Sequence, residues 1–238
     1  MVFFFLSALE NRGSMNEKLA VIFDMDGVLV DSYQAHYQSW QRAVATVGRT
    51  MSLEQFNATF GRTSREIIAA LWPDAVASEA DIARLDALKE AAYREILAAN
   101  FPPMPGIQEL LESLRAAGFA LAIGSSGPPE NVALVLERLG GRAIFDAVVD
   151  GMDVSRGKPD PQVFLLAAER LGVPPDHCVV VEDAPLGIAA AKAAGMASVG
   201  LVSTGRTRQA LAAADLVVDS LAELSPAIFR ELLQRRRQ

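Results

Sequence analysis

A doubly wound parallel α/β sheet interrupted by an inserted helical domain is the fold class that this 238-residue sequence predicts. Three observations carry it. Short apolar, strand-like runs recur with helical patterns between them, as expected for parallel strands joined by crossover helices. The first run, residues 19–24, leads straight into an acidic pair, Asp24 and Asp26, followed by Gly27. Residues 33–101 contain helical patterns only, so an all-helical block breaks the alternation after the first strand.

In chain order, LAVIFD (19–24) places four apolar residues in succession, Ala20 to Phe23, without alternation. Such a run reads as a strand buried on both faces. The helical block follows as YQAHYQSWQRAVATVG, LEQFNATFG, TSREIIAALW and EADIARLDALKEAAYREILAAN. FPPMPG (101–106) then reads as a stiff re-entry linker, because proline restricts the chain. The other hinge candidate is the exit at Asp31–Ser32. The helix PGIQELLESLRAAG opens on Pro105 and stops at Gly118, as helix punctuation requires. Strands at 119–125, 145–151, 177–183, 197–202 and 215–219 complete the sheet. The helices PPENVALVLERLG, DPQVFLLAAERLG and PLGIAAAKAAG lie between the first four of these. The expected organisation is an N-terminal extension (1–18), a core built from 19–31 and 104–238, and a helical domain over 32–103.

Composition narrows the function. The chain is 51% hydrophobic, enough for one substantial core plus a small second domain. A net charge of −7 and the lack of a basic stripe argue against nucleic-acid binding. Arg235, Arg236 and Arg237 read as a solvated tail. The opening MVFFFLSAL is too short to span a bilayer and no basic segment precedes it. Cys178 stands alone, which excludes a disulfide within the chain and suggests the reducing cytoplasm. Inside CVVVE it reads as a small core residue. His36 and His177 are too few for a histidine-rich metal site. The expected protein is cytoplasmic, a monomer or weak dimer, and acts on a small molecule.

Open parallel sheets bind ligands at the carboxyl ends of their strands. Asp24 and Asp26 stand there, and a paired acidic group is costly unless a cation or a reaction requires it. Other strand ends carry Ser125 and Ser126, and Glu182 with Asp183; Lys158 opens a helix in RGKPDP. Carboxylates, a hydroxyl and an ammonium together suit Mg²⁺ and a phosphoryl group. Asp24 could attack phosphorus as a nucleophile, with Asp26 as acid and base and with Lys158 and Ser125 on the phosphoryl oxygens.

These motifs resemble those of the haloacid dehalogenase superfamily. DMDGV matches its nucleophile motif, Ser125-Ser126 its Ser/Thr motif, Lys158 its lysine motif, and Glu182-Asp183 its acidic motif. The resemblance covers about residues 19–220, in order and at family spacing. It implies a Rossmann-like core with a four-helix cap. It also implies Asp24 as nucleophile and metal ligand, and Asp26 as acid/base that ligates through its backbone carbonyl. Glu182 and Asp183 would be further Mg²⁺ ligands, Glu182 directly or through water, and Gly27 part of the nucleophile loop. The helical block is similar to the cap of the subfamily that holds β-phosphoglucomutase and small sugar phosphatases. His36, Trp40 and Arg65 match that subfamily's substrate-side residues, and Arg65 would face the far end of a substrate. Each also has an ordinary reading: Trp40 as cap core, His36 as a helix-surface residue, Arg65 as an exposed charge at a helix start. Asp160 is expected to orient Lys158 and support a helix N-terminus.

The sequence departs from the mutase pattern after Ser126, where Gly127-Pro128-Pro129 replaces a Ser-Lys-Asn stretch. No side-chain donor remains there for a second phosphate. The expectation is therefore an Mg²⁺-dependent phosphomonoester hydrolase on a small phosphorylated metabolite, a sugar phosphate first among them, through an aspartyl-phosphate intermediate. A β-phosphoglucomutase-like isomerase is the alternative. Asp26 argues against a dehalogenase, whose leaving halide needs no acid. The intact set Asp24, Asp26, Lys158 and Asp183 argues against a non-catalytic binding protein.

Overall fold

The computed structural model describes residues 17–60, 62–75 and 78–236. The N-terminal extension up to residue 16, and Arg237 of the basic tail, lie outside the described residues. Six strands form one sheet: β1 (Ala20–Phe23), β2 (Ala120–Gly124), β3 (Ala147–Val149), β4 (Cys178–Glu182), β5 (Ala197–Leu201) and β6 (Leu216–Val218). Their order is β3-β2-β1-β4-β5-β6 and every pair is parallel. The expected strands at 145–151 and 215–219 shorten to three residues each. Polar or turn-forming residues, Asp146, Asp150, Asp215 and Asp219, flank them and take hydrogen bonds outside the ladder.

The unbroken apolar strands follow from burial on both faces. Val21 and Phe23 of β1 enter one core cluster with Leu110, Leu114, Val135 and Phe229. Ala20 and Ile22, alternating with them, enter a second cluster with Phe164, Ala167 and Ala190. The first face is covered by α5 (Ile107–Ala116), α6 (Pro129–Arg138) and α9 (Pro226–Arg236). The second is covered by α7 (Gln162–Leu171) and α8 (Pro185–Ala193). Burying each large aliphatic or aromatic side chain contributes roughly 1.5–3 kcal/mol. Cys178 lies fully inside the second cluster, and burial pushes its thiol up to about 12, as suits a core residue.

The helical block comprises α1 (Tyr33–Ala45), α2 (Leu53–Thr59), α3 (Ser64–Leu71) and α4 (Glu79–Ala99). Ser52 and Thr63 cap α2 and α3 with capping boxes, each completed by the N3 side chain of Gln55 or Glu66. These helices own a separate cluster around Trp40, Phe56, Ile68, Trp72 and Leu85. The two connections to the sheet run side by side. Asp31 N–H donates to Pro102 O at 3.0 Å and Met104 N–H to Leu29 O at 3.0 Å. The helical block is thus joined to the core through two adjacent extended segments beside the end of β1.

Candidate active site

Strand register builds the site. β1 pairs Phe23 with Ile123 of β2 and with Val181 of β4. The next residues along therefore converge: Asp24 from the centre, Ser125 from one side, Glu182 and Asp183 from the other. Ligand atoms of Asp24, Glu182 and Asp183 lie within 4.8 Å of one another, and all three residues are buried. Lys158, delivered by the loop before α7, reaches Asp24 Oδ1 at 2.5 Å and Glu182 Oε1 at 2.7 Å. Two glycines make room for the carboxylates. A Cβ on Gly27, whose φ is +76°, would lie 2.3 Å from Asp183 Oδ2. One on Gly187 would lie 1.7 Å from Glu182 Oε1.

Burial and mutual repulsion raise the Asp24 carboxyl well above its ordinary value, against the pull of Lys158. Burial, with the Glu182 charge, pushes Asp183 up to about 6, although Arg206 and the Ser203 hydroxyl oppose it. Burial alone would lower Lys158, but Asp24 and Glu182 outweigh it and hold the ammonium firmly protonated. Three buried carboxylates thus face one half-buried lysine, with Arg206 at 3.5 Å from Asp183 as outer support. An all-oxygen set with surplus negative charge fits a hard divalent cation. The deficit of positive charge that raises Asp24 and Asp183 is what such an ion would cancel.

Asp26 points its carboxylate away from this cluster. Its Oδ1 accepts from Tyr93 Oη of α4 at 2.7 Å and lies 3.1 Å from His36 Nε2 of α1. Burial works against its ionisation. His36, with the Tyr93 hydroxyl, nevertheless holds the carboxyl well below the usual range. The Ser32 hydroxyl contributes to this lowering too, although its oxygen lacks a partner in full hydrogen-bonding geometry. Lys89 Nζ lies 3.0 Å from His36 Nδ1. An ammonium can only donate, so Nδ1 accepts and the ring proton sits on Nε2, facing Asp26.

The other expected residues line the same cavity of about 710 Å³ between sheet and helices. Ser125 is buried, and its Oγ accepts from Gly127 N–H at 3.0 Å, which leaves its own proton free to donate. Ser126 stands exposed at the cavity wall. Trp40 is both core and wall: it is buried against Trp72 at 6.0 Å between ring centroids. His36 is no free surface residue, since it stacks on Tyr93 at 4.4 Å. Arg65 reaches the cavity rim, with its guanidinium paired to Glu79 through Nη1 at 2.6 Å. Asp160 supports α7 by accepting from Gln162 N–H at 3.0 Å, and it pairs with Arg156. Lys158 is oriented by Asp24 and Glu182 instead of by Asp160 as expected. Sequence reasoning missed Lys89, Glu90, Tyr93, Asn131 and Arg206. The only local signal was the i, i+4 spacing of Lys89 and Tyr93, which puts both on the face of α4 that carries Leu97.

Comparison with known proteins agrees with this geometry. A family model described as haloacid dehalogenase-like hydrolase matches residues 19–195. Validoxylamine A 7'-phosphate phosphatase of Streptomyces hygroscopicus subsp. limoneus is 36% identical, over 85% of this chain and 94% of its own length. The phosphorylated carbohydrates phosphatase of Thermotoga maritima is 32% identical, over 90% and 99%. The crystal structure of β-phosphoglucomutase from Clostridium difficile superposes with a TM-score of 0.81 at 29% identity, over 92% of this chain and 98% of that one.

Proposed function

Since the chain belongs to the haloacid dehalogenase-like hydrolases, we propose that it is a phosphomonoester hydrolase acting on a small sugar phosphate. The observation that carries this is the convergence of Asp24, Ser125, Lys158, Glu182 and Asp183 on one cavity with Asp26, whose carboxylate is held by Tyr93 and His36 of the helical cap. Relatives named as phosphatases of validoxylamine 7'-phosphate and of phosphorylated carbohydrates support a carbohydrate substrate.

Asp24, Glu182 and Asp183, with the Asp26 carbonyl, would hold Mg²⁺, which supplies charge neutralisation between a carboxylate nucleophile and a phosphate dianion. Asp24 attacks phosphorus and the bond to the ester oxygen breaks. Asp26 gives its proton to the departing alcohol, leaving an aspartyl phosphate. Asp26 then takes a proton from water, whose oxygen attacks phosphorus and frees Asp24 and inorganic phosphate. Lys158 and Ser125 donate to the phosphoryl oxygens where charge concentrates. Asp26 is ionised in the free site, as its second role requires. For its first role it must gain a proton, and an arriving phosphate dianion favours that by opposing its negative charge.

A substrate with one phosphate fits best. Gly127, Pro128 and Pro129 offer no side-chain donor. On the cap side, Arg65 is engaged by Glu79 and Lys89 by Glu90. A second phosphate would have to displace these carboxylates, whereas sugar hydroxyls can bond to both partners of each pair. The cap, about residues 32–103, closes over the substrate about hinges at 31–33 and 101–105, which lie side by side and so permit rotation as one body. The lone free cysteine favours the cytoplasm. No helix among the described residues is long and apolar enough to cross a membrane.

The test is a screen of phosphorylated metabolites with Mg²⁺, reading both phosphate release and isomerisation. Phosphate release should exceed mutase flux on β-glucose 1-phosphate even with a bisphosphate activator. Rapid formation of glucose 6-phosphate with little free phosphate would replace this reading by the mutase one.

A further inference from the structure

We propose that Asn131 is a positioning residue for the acid/base Asp26, acting from the core through a relay in the cap; this rests on the phosphatase reading above. Asn131 is buried in α6, on the sheet side of the cavity. Its Nδ2 donates to Glu90 Oε2 at 2.6 Å, and its Oδ1 accepts from Arg94 Nη1 at 3.0 Å. Glu90 can only accept and Arg94 can only donate, so the amide orientation is forced. Both partners belong to α4 of the cap. The core therefore grips the cap at this point by two opposed hydrogen bonds on a single side chain.

The grip continues to the reacting end. Glu90 Oε1 takes the second partner of its buried carboxylate from Lys89 Nζ at 2.7 Å. Lys89, also buried, donates on to His36 Nδ1, and His36 Nε2 faces Asp26. Rings of Trp40 and Tyr93 stand over the ammonium at 5.9 and 5.3 Å, so few other acceptors are open to it. Each polar group in this line has few alternatives in a buried setting, and the line is therefore rigid. Without Asn131, Glu90 keeps only Lys89. The pair can then swing into the cavity, and His36 loses the constraint that presents Nε2 to Asp26. None of these changes touches Asp24, Lys158 or the carboxylate cluster.

The signature of a misplaced acid is dependence on the leaving group. A nitrophenolate departs without a proton, whereas phenol, about as weak an acid as tyrosine, benefits from one. The experiment compares kcat/KM, which reports only steps through the first irreversible one, for 4-nitrophenyl phosphate and phenyl phosphate. Asn131→Ala should lower kcat/KM for phenyl phosphate by about tenfold or more, since a displacement of about 1 Å costs on that scale. The value for 4-nitrophenyl phosphate should stay within about threefold. Asn131→Asp keeps the shape but opposes Glu90 with like charge, and should behave similarly. Adding Glu90→Gln reverses the hydrogen bond and leaves Gln Oε1 for Lys89, so the double variant should recover most of the loss. That pair of variants decides the matter if Asn131→Ala does not fold. Equal losses on both esters, no loss at all, or failure of the double variant to recover would overturn the assignment. A wild type that hydrolyses neither ester would overturn the phosphatase reading together with it.

Discussion

Replacing Gly187 by alanine tests whether the carboxylate cluster is held to the tolerance a metal site needs. Gly187 lies in α8, where alanine would ordinarily improve stability by about 1 kcal/mol. Here the added Cβ would stand 1.7 Å from Glu182 Oε1, against an ordinary contact that begins at 3.4 Å. Glu182 must then withdraw by roughly 1.7 Å, the difference of those two distances. That is several times the ~0.2 Å over which metal–ligand distances stay acceptable. Withdrawal also breaks the bonds from Ala184 N–H at 2.6 Å and Lys158 Nζ at 2.7 Å. Overpacking of this kind costs about 1–3 kcal/mol, which exceeds the gain in helix propensity. The expected result is a lower melting temperature without metal, together with a 10- to 100-fold rise in the Mg²⁺ concentration needed for half-maximal activity. The assay is an Mg²⁺ titration of 4-nitrophenyl phosphate hydrolysis, paired with thermal melts in chelator. A more stable variant with an unchanged Mg²⁺ midpoint would show that the carboxylate geometry described here does not bind the ion.

Asp24→Asn should abolish phosphate release, by on the order of 10³ or more, while leaving the circular dichroism spectrum unchanged; retention of more than a few per cent of activity would rule out Asp24 as nucleophile. The stabilisation conferred by Mg²⁺ should grow with pH. Asp183 has its folded value pushed up to about 6 from 3.8, so without a cation its stability contribution is complete below 3.8 and is lost as pH rises through about 6. The rise in melting temperature on adding Mg²⁺ should therefore be larger at about pH 7.5 than at about pH 5, and an increment equal at both would contradict that origin. Tyr93→Phe removes a donor to ionised Asp26, so the Asp26 carboxyl should move upward, by about one pH unit if the lost bond contributes about 1.4 kcal/mol. Asp26, held low in the folded protein, stabilises it above its ordinary value, and part of that stability should vanish in the variant at neutral pH. A neutral-pH melting temperature unchanged from that of the wild type would refute the contact's importance.

The sheet was legible in the sequence because a parallel strand buried on both faces leaves a local mark, an unbroken apolar run such as Ala20 to Phe23 or Cys178 to Val181. Its chemistry was legible for the same reason: Asp24, Ser125 and Glu182-Asp183 terminate such runs, and parallel strand ends gather at one edge. The helices of the cap were legible from their helical patterns, but their partners were not. Arg65 reads as a free cation at a helix start, and only the packing of α3 near the start of α4 gives it Glu79. His36 reads as a surface histidine until α1 packs on α4 and stacks it on Tyr93. Glu90 and Asn131 are 41 residues apart and lie on unrelated helices. Periodicity states which face a residue occupies and says nothing of which other face will meet it. That meeting is decided by side-chain volume and by the need to pair every buried charge, and both are properties of the folded whole.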